Sequence, residues 1–219
     1  MTPILARSLP FGLYILFLAI EGLLPKWVPD FDVRWLYPVK ATVVALALAI
    51  LWRQYTELKS WRLSLAHFIL SIMVGVLVLA LWVHLDASWM LVGDLGEGFK
   101  PVHANGHLDP VLIAFRIMGA ALVVPIMEEL FWRSFIQRWI HRADFMALDP
   151  AQTGMRALLI ASALFAVEHQ QWLAGLIAGL AYGGLYMYTK KLWAPILAHA
   201  VTNGGLGVYV VMMGRWEFW

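Results

Sequence analysis

Two adjacent carboxylates, Glu128 and Glu129, stand in an otherwise apolar stretch that opens Val123-Val124-Pro125-Ile126-Met127, with Arg133 following at a spacing of four. His169 closes the segment Phe165-Ala166-Val167-Glu168-His169, and His199 precedes Asn203 in His199-Ala200-Val201-Thr202-Asn203. An ionisable side chain inside an apolar span costs from about 2.5 to more than 10 kcal/mol, so each of these groups needs a partner or a task. Together they have the parts that peptide hydrolysis needs: a base to deprotonate water and donors to stabilise the developing oxyanion. Carboxylates in low-dielectric surroundings are stronger bases than carboxylates in water, which suits Glu128 to the first role. His169 is placed to share that water, and His199 with Asn203 to donate to the oxyanion. A divalent metal such as zinc, held by Glu128, His169 and His199, is a second way to activate the water.

Helical geometry sorts these roles. Glu129 and Arg133, four apart, share a face and form an ion pair, read either as a structural brace or as support for catalysis. Glu128 points about 100° away and is free for other work. Pro125 removes a donor from the ladder just before the pair, which opens the backbone locally. Asn203 has a plainer reading too, as a polar contact that glues helices.

The elements that carry these residues are membrane helices. Of 219 residues, 62% are hydrophobic and 14% charged, and the mean hydropathy is +0.73, whereas soluble domains are about half apolar and a quarter charged. The lipid bilayer is therefore a partner of the chain. With a net charge of +2 and no basic run, nucleic acid is not. The absence of cysteine excludes disulfides, thiolate catalysis and thiolate metal sites. Apolar runs over 9–24, 38–52, 64–84, 111–138, 155–170, 172–188 and 192–213 predict an all-α, polytopic transmembrane bundle of about seven or eight spans. Trp residues near the segment ends, among them Trp27, Trp52, Trp82, Trp172 and Trp193, fit interfacial anchoring. The first span has no small-x-small cleavage site after it and reads as a retained helix.

One domain over 1–219 is the simplest organisation, with 1–110 free of identified motifs and 111–213 carrying the catalytic core. Gly175, Gly179 and Gly183 make a small-residue face for close approach of a neighbouring helix. If the N-terminus is cytoplasmic, Arg7, Arg53, Lys59, Arg62, Arg138, Arg142, Arg156, Lys190 and Lys191 share its side, against Lys26, Arg34, Lys100 and Arg215 on the other. Nine against four favours that topology. It sets His169 at the far end of its span from Glu128 and His199, so a kinked, tilted or re-entrant element is needed for the three to meet. Lys40 is expected to snorkel.

Glu128-Glu129-x-x-x-Arg133, Phe165-x-x-x-His169 and His199-x-x-x-Asn203 resemble, in order, the three motifs of the CAAX protease and bacteriocin-processing (CPBP, or Abi) family of intramembrane proteases. The likeness covers roughly residues 111–213 and looks closest to a bacterial branch associated with exosortase systems. It implies a peptidase acting on a membrane-associated protein or peptide in a bacterial inner membrane. Glu128 is then similar to the family's water-activating glutamate, Glu129 and Arg133 to its supporting pair, His169 to the histidine that shares the water, and His199 with Asn203 to the oxyanion pair. The family carries the label metalloprotease beside a metal-free glutamate mechanism, and the motifs are compatible with both. Two other classes compete: a proton-linked transporter, which also buries Glu, Arg and His, and a non-catalytic immunity or chaperone-like membrane protein. No inverted repeat supports the former, and intact motifs speak against the latter.

Overall fold

The computed structural model describes residues 1–103 and 105–219. Among them are seven principal helices: α1 (Pro3–Trp27), α2 (Leu36–Leu51), α3 (Leu65–Trp82), α4 (Pro110–His141), α5 (Gly154–Val167), α6 (Trp172–Thr189) and α7 (Trp193–Met213). They coincide with the seven predicted runs to within a few residues at most ends, and α1 begins earlier. Caps place the ends: the Thr2 hydroxyl accepts from Leu5 N, Ser64 from His67 N, and Asp109 from Val111 N and Leu112 N ahead of Pro110. Lys190 and Gly214 close α6 and α7 in the left-handed region at φ +57° and +66°. Outward faces are apolar, as lipid requires: Leu46 and Ile50 on α2, Met73 and Leu77 on α3, and Leu159 and Leu164 on α5 are all exposed.

By length and composition α1, α2 with its flanking turns, α3, α4 and α7 can each cross a bilayer. At 14 residues, α5 cannot: it rises about 21 Å against a hydrocarbon core of about 30 Å. This short helix is what lets the motifs meet. The chain leaves α4 at His141 and enters α5 at Gly154, and α5 ends beside the last residue of α3, where Gln171 bonds Trp82 O at 2.9 Å, leaving His169 on the turn into α6. The predicted fifth run to residue 170 was therefore too long by three residues at this end, because the apolar character of the chain outlasts the helix.

The glycine face of α6 does pack internally. A side chain at Gly175 would meet Ala166 and His169, one at Gly179 would meet Ser162, and one at Gly183 would meet Leu158 and Gln137. Descending steps of four on α5 thus match ascending steps of four on α6. At Gly179 an added Cβ would lie 2.9 Å from the Cα of Ser162, which is backbone and cannot swing away. Gly184, one residue past that face, has nothing within 4 Å. Gly179→Val is expected to lower both the yield of folded protein and its thermal midpoint in detergent, and Gly184→Ala to leave both unchanged. Indistinguishable melting curves for the two variants would contradict this packing.

A buried ion pair within the N-terminal half is tied to the motif half through Ser134. Arg7, 1% exposed, donates from Nε and Nη2 to the two carboxylate oxygens of Glu57 at 2.8 and 2.6 Å, and from Nη1 to Pro3 O at 3.0 Å. Ser134 on α4 donates to the same carboxylate. Arg138 is likewise buried, bonding Ser134 O at 2.8 Å and the Tyr186 hydroxyl. Two of the nine cations counted towards orientation are therefore bound inside the protein, leaving seven against four. Lys40 does not snorkel either: it is 1% exposed, pairs with Glu21 at 3.3 Å, and lies over the Tyr14 and Tyr37 rings.

Glu57 lies between α2 and α3. Burial alone would raise its pKa, but the bonds and charge of Arg7, with the Ser134 hydroxyl, outweigh it and hold the carboxyl below its ordinary value. A pKa lower in the folded than in the unfolded chain gives stability that is whole above the ordinary carboxylate range and is lost as pH falls through the depressed folded value. Glu57→Gln is expected to flatten the acid-side decline of thermal stability below about pH 4.5 and to lower the plateau at neutral pH. An unchanged acid limb would remove Glu57 as its source.

Candidate active site

The geometry of α4 at the site departs from a regular helix. Residues Gly119–Val123 and Glu129–Gln137 form two π-helical turns on either side of Glu128, a feature that recurs at functional sites. In the first, Val124 N–H bonds to Gly119 O, five residues back. The next bond in that register would run from residue 125 to Ala120 O, but Pro125 has no N–H to give. Asn203 on α7 supplies the missing donor, its Nδ2 bonding Ala120 O at 2.9 Å. The proline before the carboxylates thus opens the ladder, as the sequence suggests, and one of the motif residues closes it. The second Nδ2 hydrogen of Asn203 remains available.

Beside Glu128 lies a buried polar triad. Glu129, 0% exposed, is 3.1 Å from Arg133 Nε through one oxygen and accepts from His199 Nδ1 at 2.9 Å through the other. The Nη1 and Nη2 atoms of Arg133 find no hydrogen-bond acceptor among the described residues. Its guanidinium lies instead over the rings of Phe165 at 4.3 Å and Tyr182 at 5.4 Å, whose faces attract a cation. The expected ion pair is present, and it is larger than a pair, because His199 joins it.

The two histidines have assignable tautomers. A carboxylate can only accept, so the His199 Nδ1 facing Glu129 carries the hydrogen, and Nε2 turns towards Glu128, 4.0 Å from its Oε2. A backbone carbonyl can only accept too. His169 Nδ1, 2.9 Å from Phe165 O, is therefore a donor, and its Nε2 is the free nitrogen. Rings hold both imidazoles: Tyr182 stacks on His199 at 4.9 Å, and Phe165 and Trp82 flank His169 at 4.6 and 5.2 Å.

Glu128, His169, His199 and Asn203 all line one cavity of about 220 Å³, together with Trp82 and Tyr182. The convergence on which the sequence reading depends is therefore met in space, although the role of each residue is a separate matter. Glu129 bonds one nitrogen of the His199 ring at 2.9 Å, while Glu128 stops 4.0 Å short of the other. For the metal alternative, zinc needs several donors at about 2.0–2.2 Å from a common centre. Glu and His are ordinary zinc ligands and the Nε2 of each histidine is uncommitted, but no group of three His, Asp or Glu side chains among the described residues is so arranged.

Sequence reasoning missed four participants. Tyr182 donates to Thr202 Oγ1 at 2.7 Å, and Thr202 bonds Gly75 O on α3 at 2.9 Å, so the hydroxyls fix the ring under His199. The signal was available: a tyrosine within an Ala/Gly run must find a partner for its hydroxyl when buried. At the rim, Trp132 Nε1 donates to Glu168 at 2.9 Å, joining the residue before His169 to the carboxylate helix.

Residues 110–205 match the family described as Type II CAAX prenyl endopeptidase Rce1-like. The chain is also 31% identical over 122 residues to a Bacillus subtilis (strain 168) protein described as "Putative membrane peptidase YdiL", an alignment covering 54% of this chain and 45% of that relative. This chain therefore spans about half the length of the curated relative it matches. No solved structure matches it.

Proposed function

From the premise that the chain belongs, through its motif-bearing half, to the family of Rce1-like CAAX prenyl endopeptidases, we propose that it is an intramembrane endopeptidase of a bacterial inner membrane, hydrolysing a peptide bond in a membrane-associated protein or peptide with a glutamate-activated water. The observation that carries this reading is the cavity shared by Glu128 from α4, His199 and Asn203 from α7, and His169 from the turn after α5. A prenylated C-terminus is one substrate type within the family, and a processed bacterial peptide is another.

In this reading Glu128 takes a proton from water while the free Nε2 of neutral His169 accepts the water's other hydrogen bond and aims its lone pair. The water oxygen bonds to the scissile carbonyl carbon, and the carbonyl oxygen becomes the oxyanion. Asn203 offers it the Nδ2 hydrogen not spent on Ala120 O. His199 donates from Nε2, which requires a second proton on the ring, since Nδ1–H is committed to Glu129. The Glu129 carboxylate stabilises that imidazolium, and Arg133 holds Glu129. Collapse of the intermediate breaks the C–N bond, and Glu128 returns its proton to the leaving amine. The Tyr182, Phe165 and Trp82 rings keep bulk water from the charged groups, which strengthens each of these interactions.

The test is hydrolysis by the purified, reconstituted full chain in H2(18)O, with a pool of fluorescent peptides and product analysis by mass spectrometry. Each new carboxyl terminus is expected to carry one heavy oxygen, and the second product a free amine. Intact peptides throughout, in a preparation that melts cooperatively, would refute the reading.

A further inference from the structure

A second cavity of about 490 Å³ adjoins the catalytic one, and Arg116, Tyr14 and Trp219 belong to the walls of both. Arg116 thus stands in the wall that the two cavities share. The other cations of the second cavity are each spoken for: Arg34 by Asp32 at 2.7 Å, Lys40 by Glu21 at 3.3 Å and Lys100 by Glu97 at 3.0 Å. Arg116 differs. Its Nε is buried with no partner, and among the described residues no carboxylate pairs with its guanidinium. It is held instead by aromatic rings, over Tyr37 at 4.3 Å, Phe99 at 5.3 Å and Trp219 at 5.9 Å.

A guanidinium fixed by rings keeps its charge and its planar fork while losing competing water, the state in which it binds a carboxylate most effectively. Arg116 and Glu128 are twelve residues apart on the same helix, at most about 18 Å along its axis at 1.5 Å per residue, with the π-helical turn between them. An extended peptide covers that distance in about five residues at 3.3–3.6 Å each. Resting on the peptidase reading above, we propose that Arg116 is a specificity residue that anchors a carboxylate of the peptide substrate about five residues from the scissile bond. The carboxylate can come from a free C-terminus or from an Asp or Glu side chain.

The test separates recognition from chemistry by measuring binding to full-length Glu128→Gln protein in nanodiscs by fluorescence polarisation. The probes are three labelled pools of random ten-residue peptides: one lacking Asp and Glu with a free C-terminus, its C-terminal amide, and an amidated pool with a single Glu. We expect one or both carboxylate-bearing pools to bind at least about tenfold more tightly than the uncharged amide, the scale of a charge-assisted bidentate contact. Which pool does so identifies the source. Arg116→Gln is expected to abolish that preference at an unchanged melting temperature, and Arg116→Lys to restore part of it. Should Arg116→Gln fail to fold, the Arg116→Lys protein and the pool comparison in the parent still decide the matter. Equal binding of all pools, no binding by any, or a preference that survives Arg116→Gln overturns the proposal. Cleavage by the unmodified protein without carboxylate preference defeats this inference alone, whereas carboxylate-dependent binding without cleavage defeats the peptidase reading alone.

Discussion

Glu128→Gln is expected to reduce peptide hydrolysis by about 10²–10⁴-fold, the contribution of a positioned general base, while leaving the protein folded. The two halves of that expectation come from different features. Glutamine keeps the shape of the side chain but cannot take a proton from water, so the loss falls on the chemical step and on the return of the proton to the leaving amine. The fold should tolerate the change because Glu128 is not part of the brace: its Oε2 has no hydrogen-bond partner among the described residues, and His199 Nε2 is 4.0 Å from it. A neutral amide there removes a buried charge without orphaning another. The experiment compares turnover of a cleaved peptide and the thermal midpoint of the two proteins in the same detergent. His169→Gln should fall in the same class, since its free Nε2 acts on the water. Full activity in Glu128→Gln would end the glutamate mechanism, and a collapsed midpoint would show that Glu128 is structural after all.

Much of this site is readable from the amino-acid sequence, for a physical reason. A bilayer imposes length and apolarity on every helix, so the seven runs stand out, and any Glu, Arg or His within them is conspicuous by its cost. What escapes is geometry that a regular helix does not have. Glu128 and Glu129 are one helical step apart, and the sequence does not show that His199 lies between them, its Nδ1 on Glu129 and its Nε2 4.0 Å from Glu128. The apolar run suggests that His169 closes a span, whereas α5 ends at Val167 and the histidine sits on the turn that follows. Partners distant along the chain also escape, because periodicity carries no information about them. Arg7 with Glu57, Lys40 with Glu21, and Thr202 with Gly75 are such pairs, and two of them turn cations that look like interfacial anchors into buried braces. Asn203 joins both kinds: its motif spacing marks it, but its bond to the carbonyl that Pro125 leaves open depends on the π register.

Removing Arg133 is expected to damage stability first and activity with it. Glu129 is fully buried and Arg133 is 2% exposed, so the pair is shielded from solvent and from salt. Breaking such a pair from one side costs about 3–5 kcal/mol, most of it the penalty of a charge left without its partner. In Arg133→Ala that charge is the Glu129 carboxylate, left with His199 alone, and the Phe165 and Tyr182 rings lose the cation packed against them. The expected result is a fall in folded yield and a lower thermal midpoint, with activity per folded molecule also reduced because Glu129 no longer holds the His199 imidazolium in place. Replacing both partners separates these effects. Glu129→Gln with Arg133→Met removes both charges, keeps a hydrogen-bond acceptor for His199 Nδ1 and fills most of the volume, so a large part of the stability should return. Activity should not return, because a neutral amide stabilises an imidazolium far less than a carboxylate does. Recovery of stability and hydrolysis together would reduce the pair to a brace with no part in the chemistry, and an Arg133→Ala protein as stable as its parent would show that the buried charge has found another partner.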